Sequence, residues 1–206
     1  MADQHSQARA HGDRHGARQP ERFDPARAAM LDDPARFVYL PPADVLALLD
    51  APHGASVVDF GTGTGAYAFA IAKLRPDLRV VALDEQPQMI ALLQKRLQTE
   101  RGLTITPSGT GDLTTLHRTA ARVLAINVLH ELGDTALRSL GALLAPAGKA
   151  VIIDWNAAVE RDVGPPRDHV YTVDEACDRL QASGLTVIAK HVFAYHYALV
   201  AQKAAT

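Results

Sequence analysis

The chain has a single cysteine, Cys177, so it can form neither an internal disulfide nor a multi-cysteine metal site. Net charge is nearly absent. Its 21 Lys and Arg against 23 Asp and Glu leave −2, which gives no electrostatic case for gripping a nucleic-acid backbone. No window reaches ~18 consecutive apolar residues, and no apolar stretch follows the first methionine, which argues against a membrane span or a secretory leader. The expectation is a soluble, cytoplasmic monomer or homodimer whose partner is neither nucleic acid nor membrane. What is present is ordinary globular material: 206 residues, 48% hydrophobic and 21% charged. That suits one domain, two at most, whose core needs no covalent staples.

Residues 1–22 hold no apolar period. Three histidines there, His5, His11 and His15, could bind a metal, but the composition favours a disordered tail. A helical lead-in follows over residues 23–50. Asp24-Pro25 reads as an N-cap with proline at the first helical position, and Asp33-Pro34 as its stop. A second helix over Ala43 to Leu49 turns Val45, Leu46, Leu48 and Leu49 toward a core.

From residue 51 onward short apolar runs alternate with helical periods. Strands are expected at Val57–Phe60, Leu78–Leu83, Leu103–Thr106, Val123–Ile126 and Ala150–Ile153. Between them lie helices after Gly65, from Gln86 to Gln98 and over Leu137–Leu144. Such alternation predicts a doubly wound, Rossmann-like α/β domain with seven strands, mostly parallel, and helices on both faces. After a helix over Val173–Ala182, two near-consecutive strands, Leu185–Ala189 and His191–Ala201, require an antiparallel C-terminal strand.

Gly61-Thr62-Gly63-Thr64-Gly65 directly follows the first strand, where an open parallel sheet binds its ligands. Glycines there let the backbone turn sharply and approach a ligand without a Cβ in the way. Two ligand classes use such a loop. Gly61-x-Gly63-x-x-Ala66 formally satisfies a dinucleotide fingerprint, so an NAD-dependent oxidoreductase is one reading. Asp59, two residues before the first glycine, would repel a pyrophosphate but attract an ammonium or sulfonium group.

The segment Val57 to Gly65 resembles the first motif of class I S-adenosylmethionine-dependent methyltransferases. Asp84, closing the second strand, is similar to the family's ribose-binding acid, and Gly111-Asp112 to the pair that approaches the adenine amino group. Asn127-Val128-Leu129-His130-Glu131-Leu132 resembles the segment lining the methyl-transfer site, and Leu144 to Lys149 the turn before the fifth strand. The resemblance implies S-adenosyl-L-methionine as cofactor, held by Asp59, Gly61, Thr62, Gly63, Gly65, Asp84, Glu85, Asp112, Leu113 and Asn127. A narrower resemblance, to small bacterial and archaeal methyltransferases related to the ubiquinone and menaquinone biosynthesis enzymes, is carried at both ends. It rests on Phe23-Asp24-Pro25, Leu31 to Pro34 and Leu40-Pro41-Pro42, and on Ile153-Asp154-Trp155, Gly164-Pro165-Pro166 with His169, and Tyr195-His196-Tyr197.

His130 is the candidate catalytic base, since histidine titrates near neutral pH and follows the fourth strand; its bland alternative is packing or helix capping. Asp84 has the clearest role, its bland alternative being a cap for the next helix. His130-Glu131 opens like a metalloprotease motif, but Asp134 stands where the second histidine is needed, and no metal is expected. On a strand Tyr195 and Tyr197 share one face and His196 takes the other. Trp155 could wall an acceptor pocket or pack as core. The expected function is methyl transfer to a small-molecule acceptor. Alternatives are the oxidoreductase, an inactive cofactor-binding regulator and a macromolecule methyltransferase.

Overall fold

The computed structural model describes residues 22–204. Apart from Arg22, the expected N-terminal tail, with its histidines, lies outside the described residues. Asp24 caps the first turn as its side chain accepts Ala26 N–H at 2.9 Å, but Pro25–Asp32 winds as a 3-10 helix rather than an α-helix. Only Ala28 of that turn is buried, so little apolar surface is there to stabilise α-helical hydrogen bonding. Two helices follow, α1 (Arg36–Tyr39) and α2 (Pro42–Leu49). The first is too short to leave a period in the sequence.

The remaining elements run β1 (Ser56–Phe60), α3 (Ala66–Leu74), β2 (Arg79–Leu83), α4 (Pro87–Thr99), β3 (Ile105–Ser108), β4 (Ala120–Ile126) and α5 (Asp134–Leu143). Then come β5 (Leu144–Trp155), α6 (Val173–Ala182), β6 (Leu185–Val192) and β7 (His196–Lys203). The described strands form one sheet in the order β3-β2-β1-β4-β5-β7-β6. All neighbours are parallel except β7, which runs antiparallel to both β5 and β6.

Alternation along each strand divides the core in two. Val57, Val80, Leu124, Val151 and Ala198 face α2, α3 and Leu93 of α4. Val58, Val123, Ile152 and Leu199 face α5 and α6. α6 starts at a capping box in which Thr172 and Glu175 each satisfy the other's backbone N–H.

Three expectations shift. β3 begins at Ile105, two residues later than the expected Leu103–Thr106 strand, and runs on to Ser108. β5 starts at Leu144, and the expected Pro146-Ala147-Gly148 turn sits within it as a bulge between the Ala120–Leu144 and Arg122–Lys149 pairs. Phe193 N–H donates to His196 O at 2.8 Å, closing the β6–β7 turn, so β7 begins at His196 and not at His191.

Candidate active site

Strand order reverses between β1 and β4, and the crevice at their carboxyl ends is the topological switch point of the sheet. The loop after β1 is stapled to the end of β2: Gly61 and Thr62 N–H both donate to Leu83 O, at 2.8 and 2.9 Å. Gly61 has φ +73° and Gly63 φ +57°. A Cβ on Gly61 would meet Val128 Cγ1 at 2.7 Å, and one on Gly63 would meet Leu31 Cδ1 at 2.9 Å. Conformation demands glycine at both positions, and at Gly61 the Val128 side chain leaves no space for a Cβ either.

Asp59 lies fully buried beneath this loop and accepts the Thr62 hydroxyl at 2.7 Å. Burial pushes its carboxyl up to about 6, against the opposing hydrogen bond from Thr62. Asp84 directly follows β2 and is buried. Its Oδ2 accepts Gly63 N–H at 2.8 Å and its Oδ1 accepts Gln86 N–H at 2.9 Å at the start of α4. A carboxylate offers about four lone-pair sites, so two remain for a diol.

Glu85 is exposed and paired with Arg22 at 2.7 Å. Asp112 is exposed just past β3, tied by the Ser108 hydroxyl at 2.7 Å, and Leu113 beside it packs partly into the core. Asn127 ends β4 with φ +58° and a buried Oδ1 that no donor reaches. A non-glycine residue in that region is strained, and strain of this kind gathers at ligand sites. The structure brings the glycines, Asp84 and Asn127 to one crevice; Asp112 and Leu113 stand at its β3 edge.

His130 sits in a 3-10 turn over Leu129–Glu131, held by Asp154 at the end of β5. Its backbone N–H donates to Asp154 Oδ2 at 2.9 Å, and its Nδ1 lies 2.9 Å from Asp154 Oδ1. Burial alone would lower the imidazole's pKa, but the adjacent Asp154 and Glu131 carboxylates outweigh it and raise the pKa. With Nδ1 bonded to Asp154, Nε2 is the other nitrogen that can take a proton, and it lies 3.7 Å from Glu131 Oε1.

The lead-in roofs the crevice. Phe23 N–H donates to Glu131 Oε2 at 3.0 Å while Phe23 O accepts from Gln86 Nε2 at 3.0 Å, so one backbone residue spans the gap between the β4 and β2 ends. Asp32 accepts the Thr64 hydroxyl at 2.8 Å and pairs with Arg96 at 3.2 Å. Arg36 donates to Leu31 O at 2.6 Å and lies over the Tyr67 ring. Sequence reasoning missed the lead-in anchors Glu131 and Asp32, and the role of Asp154. For Asp154 a signal existed: an acid closing a parallel strand, as at Asp84. Tyr195 and His196 both meet Tyr39, at 5.6 and 5.8 Å between ring centroids, because Tyr195 precedes β7 rather than lying in it. The expected alternation holds between His196 and Tyr197, which packs in the core of the opposite face, and fails for Tyr195.

A family model described as "Methyltransferase domain" matches residues 58–150. A solved S-adenosylmethionine-dependent methyltransferase from Aquifex aeolicus superposes with TM-score 0.80 at 28% identity, covering 87% of this chain and 98% of that one. The mitomycin 7-O-methyltransferase structure superposes with TM-score 0.66 at 22% identity over 88% of this chain and 58% of that one, a likeness of fold alone. A release factor glutamine methyltransferase from Geobacter sulfurreducens is 44% identical over 52 residues, which are 25% of this chain and 18% of that protein. The chain thus spans less than a fifth of the length of that curated relative. Fold, loop and these matches support a class I S-adenosylmethionine-dependent methyltransferase. S-adenosylmethionine is the cofactor that this domain type serves, and the glycine-lined crevice with an unpartnered Asn127 Oδ1 fits it.

Proposed function

We propose that the protein transfers the methyl group of S-adenosylmethionine to a small-molecule acceptor bound beneath the lead-in. The observation that carries this reading is the roofed crevice: a glycine loop and Asp84 on one side, His130 on the other, and Phe23 bridging both. When bound, the cofactor supplies an electrophilic methyl on a sulfonium whose positive charge is lost on transfer. The remaining work is alignment and exclusion of water, which suits a lid of ordered backbone.

In this reading Asp84 receives the ribose hydroxyls on its remaining lone pairs, with Glu85 alongside, and Asp112 and Leu113 meet the adenine. Gly61, Thr62, Gly63 and Gly65 face the methionine portion, with Asp59 countering its positive charge from beneath and Asn127 Oδ1 receiving a donor. His130 Nε2 takes the acceptor's proton where the acceptor is protic, and Asp154 holds the ring and steadies its charged form. The lead-in segments and the Trp155 region support kinship with the small quinone-related methyltransferases. A protein acceptor is the second reading, favoured by the short match to release factor glutamine methyltransferases. The lead-in across the crevice argues for the smaller molecule.

Calorimetric titration with S-adenosylmethionine, S-adenosylhomocysteine and NAD tests the reading. Expected is binding of the first two and not the third, weakened at least about tenfold, or ~1.4 kcal/mol, in Asp84→Asn. Binding of NAD alone would overturn it in favour of the oxidoreductase.

A further inference from the structure

His196 opens β7 directly opposite Trp155 in the antiparallel ladder with β5. Its imidazole packs 4.1 Å from the indole, and the Tyr39 ring lies nearly parallel to it, 14° off at 5.8 Å. The side chain is fully buried, yet neither ring nitrogen has a hydrogen-bond partner. Burial, with Arg36 and Arg161 adding to it against Asp154, pushes the imidazole down to about 4, so it is neutral at physiological pH. A neutral imidazole carries one donor and one acceptor. Burying both unmade costs stability, and phenylalanine would fill the same place without that cost.

A second orphan stands over the same indole. The Arg161 guanidinium lies 5.2 Å from the Trp155 ring, and its terminal nitrogens donate to backbone carbonyls, that of Pro165 at 2.7 Å. Its Nε–H is buried without an acceptor. Among the described residues no carboxylate forms an ion pair with it. A cation, a neutral donor–acceptor pair and a flat apolar wall therefore converge around Trp155, one residue beyond the Asp154 that holds His130.

Resting on the methyltransferase reading, we propose that the Trp155–His196 pair, which Tyr39 of the lead-in covers, forms the acceptor subsite once that segment lifts, and that it takes a planar aromatic molecule bearing a hydroxyl and an anionic group. The ring lies against Trp155 where Tyr39 now covers His196. The hydroxyl exchanges hydrogen bonds with His196, and the anion accepts from Arg161 Nε–H. Tyr39 belongs to the lead-in, so lifting that segment uncovers the subsite.

Trp155 is the chain's only tryptophan, so its fluorescence reports on this place alone. The full chain, with S-adenosylhomocysteine added, is titrated with 4-hydroxybenzoate, phenol and benzoate. Expected is a saturable Trp155 response to 4-hydroxybenzoate, weakened at least about tenfold in both His196→Phe and Arg161→Met. Phenol binding falls in His196→Phe but not in Arg161→Met. His196→Phe also raises the thermal midpoint of the free protein. No saturable response in a wild-type protein that binds S-adenosylhomocysteine overturns the subsite and leaves the cofactor reading standing. Unchanged 4-hydroxybenzoate affinity in both variants, or a lowered midpoint in His196→Phe, overturns it too. A full probe response in a protein that ignores S-adenosylhomocysteine supports the subsite and overturns the cofactor reading instead.

Discussion

Asp59 shows how a single side chain couples the loop to pH. Its carboxyl, buried under Thr62, titrates near 6 rather than 3.8. Between those values the folded chain holds a proton that the unfolded chain has lost. Asp59's contribution to stability therefore falls as pH rises through that window and levels off above it. The cost above pH 6 is on the order of 3 kcal/mol at this shift. Asp59→Asn removes it, so the variant's thermal midpoint exceeds the wild type's at pH 7.5 and the difference closes near pH 4. A cationic ligand draws the proton off, so wild-type affinity for S-adenosylmethionine rises through pH 6 while the Asn variant's stays flat. Thermal melts and titrations across this range check both.

At the scale of elements, α2 ends against β4 through one buried side chain. Arg122 donates from Nε to Leu49 O at 2.7 Å, from one terminal nitrogen to Asp50 O at 2.6 Å and from the other to Ala121 O at 2.8 Å. A helix leaves its last carbonyls without partners, and here a cation both satisfies them and opposes the negative end of the dipole. Arg122→Met should cost about 3 kcal/mol in denaturant unfolding, since it strands buried carbonyls. Exchange of α2 and lead-in amides should quicken with it. Arg79→Met, at an exposed position on β2, should stay within about 0.5 kcal/mol.

Over the whole molecule, the crevice joins parts distant in the chain: the loop after β1, the ends of β2, β4 and β5, and the lead-in. A ligand held there binds only the folded form, so its stabilisation is global. S-adenosylhomocysteine at ~100 times its Kd should add about 2.7 kcal/mol, raising the thermal midpoint by about 5–10 °C. Asp84→Asn, melted at the same ligand concentration, should show a smaller rise. Scanning calorimetry measures both.

By itself the sequence determined the parallel sheet with its antiparallel end, the glycine loop and the two strand-end acids Asp59 and Asp84. Each is a local signal: apolar runs at a fixed interval, or glycines where backbone conformation permits little else. The bulge in β5 was not legible, because it arises from how Ala120 and Arg122 pair with a strand far away in the chain. Nor was the placement of Tyr195 with His196, which hangs on where β7 begins. The His130–Asp154 bond, the Phe23 bridge and the burial of His196 against Trp155 were decided by tertiary structure alone. Hydrogen bonds and ring contacts between residues far apart in the chain leave no period or spacing to read. They come into being when the strands take their order and bring their ends to one crevice.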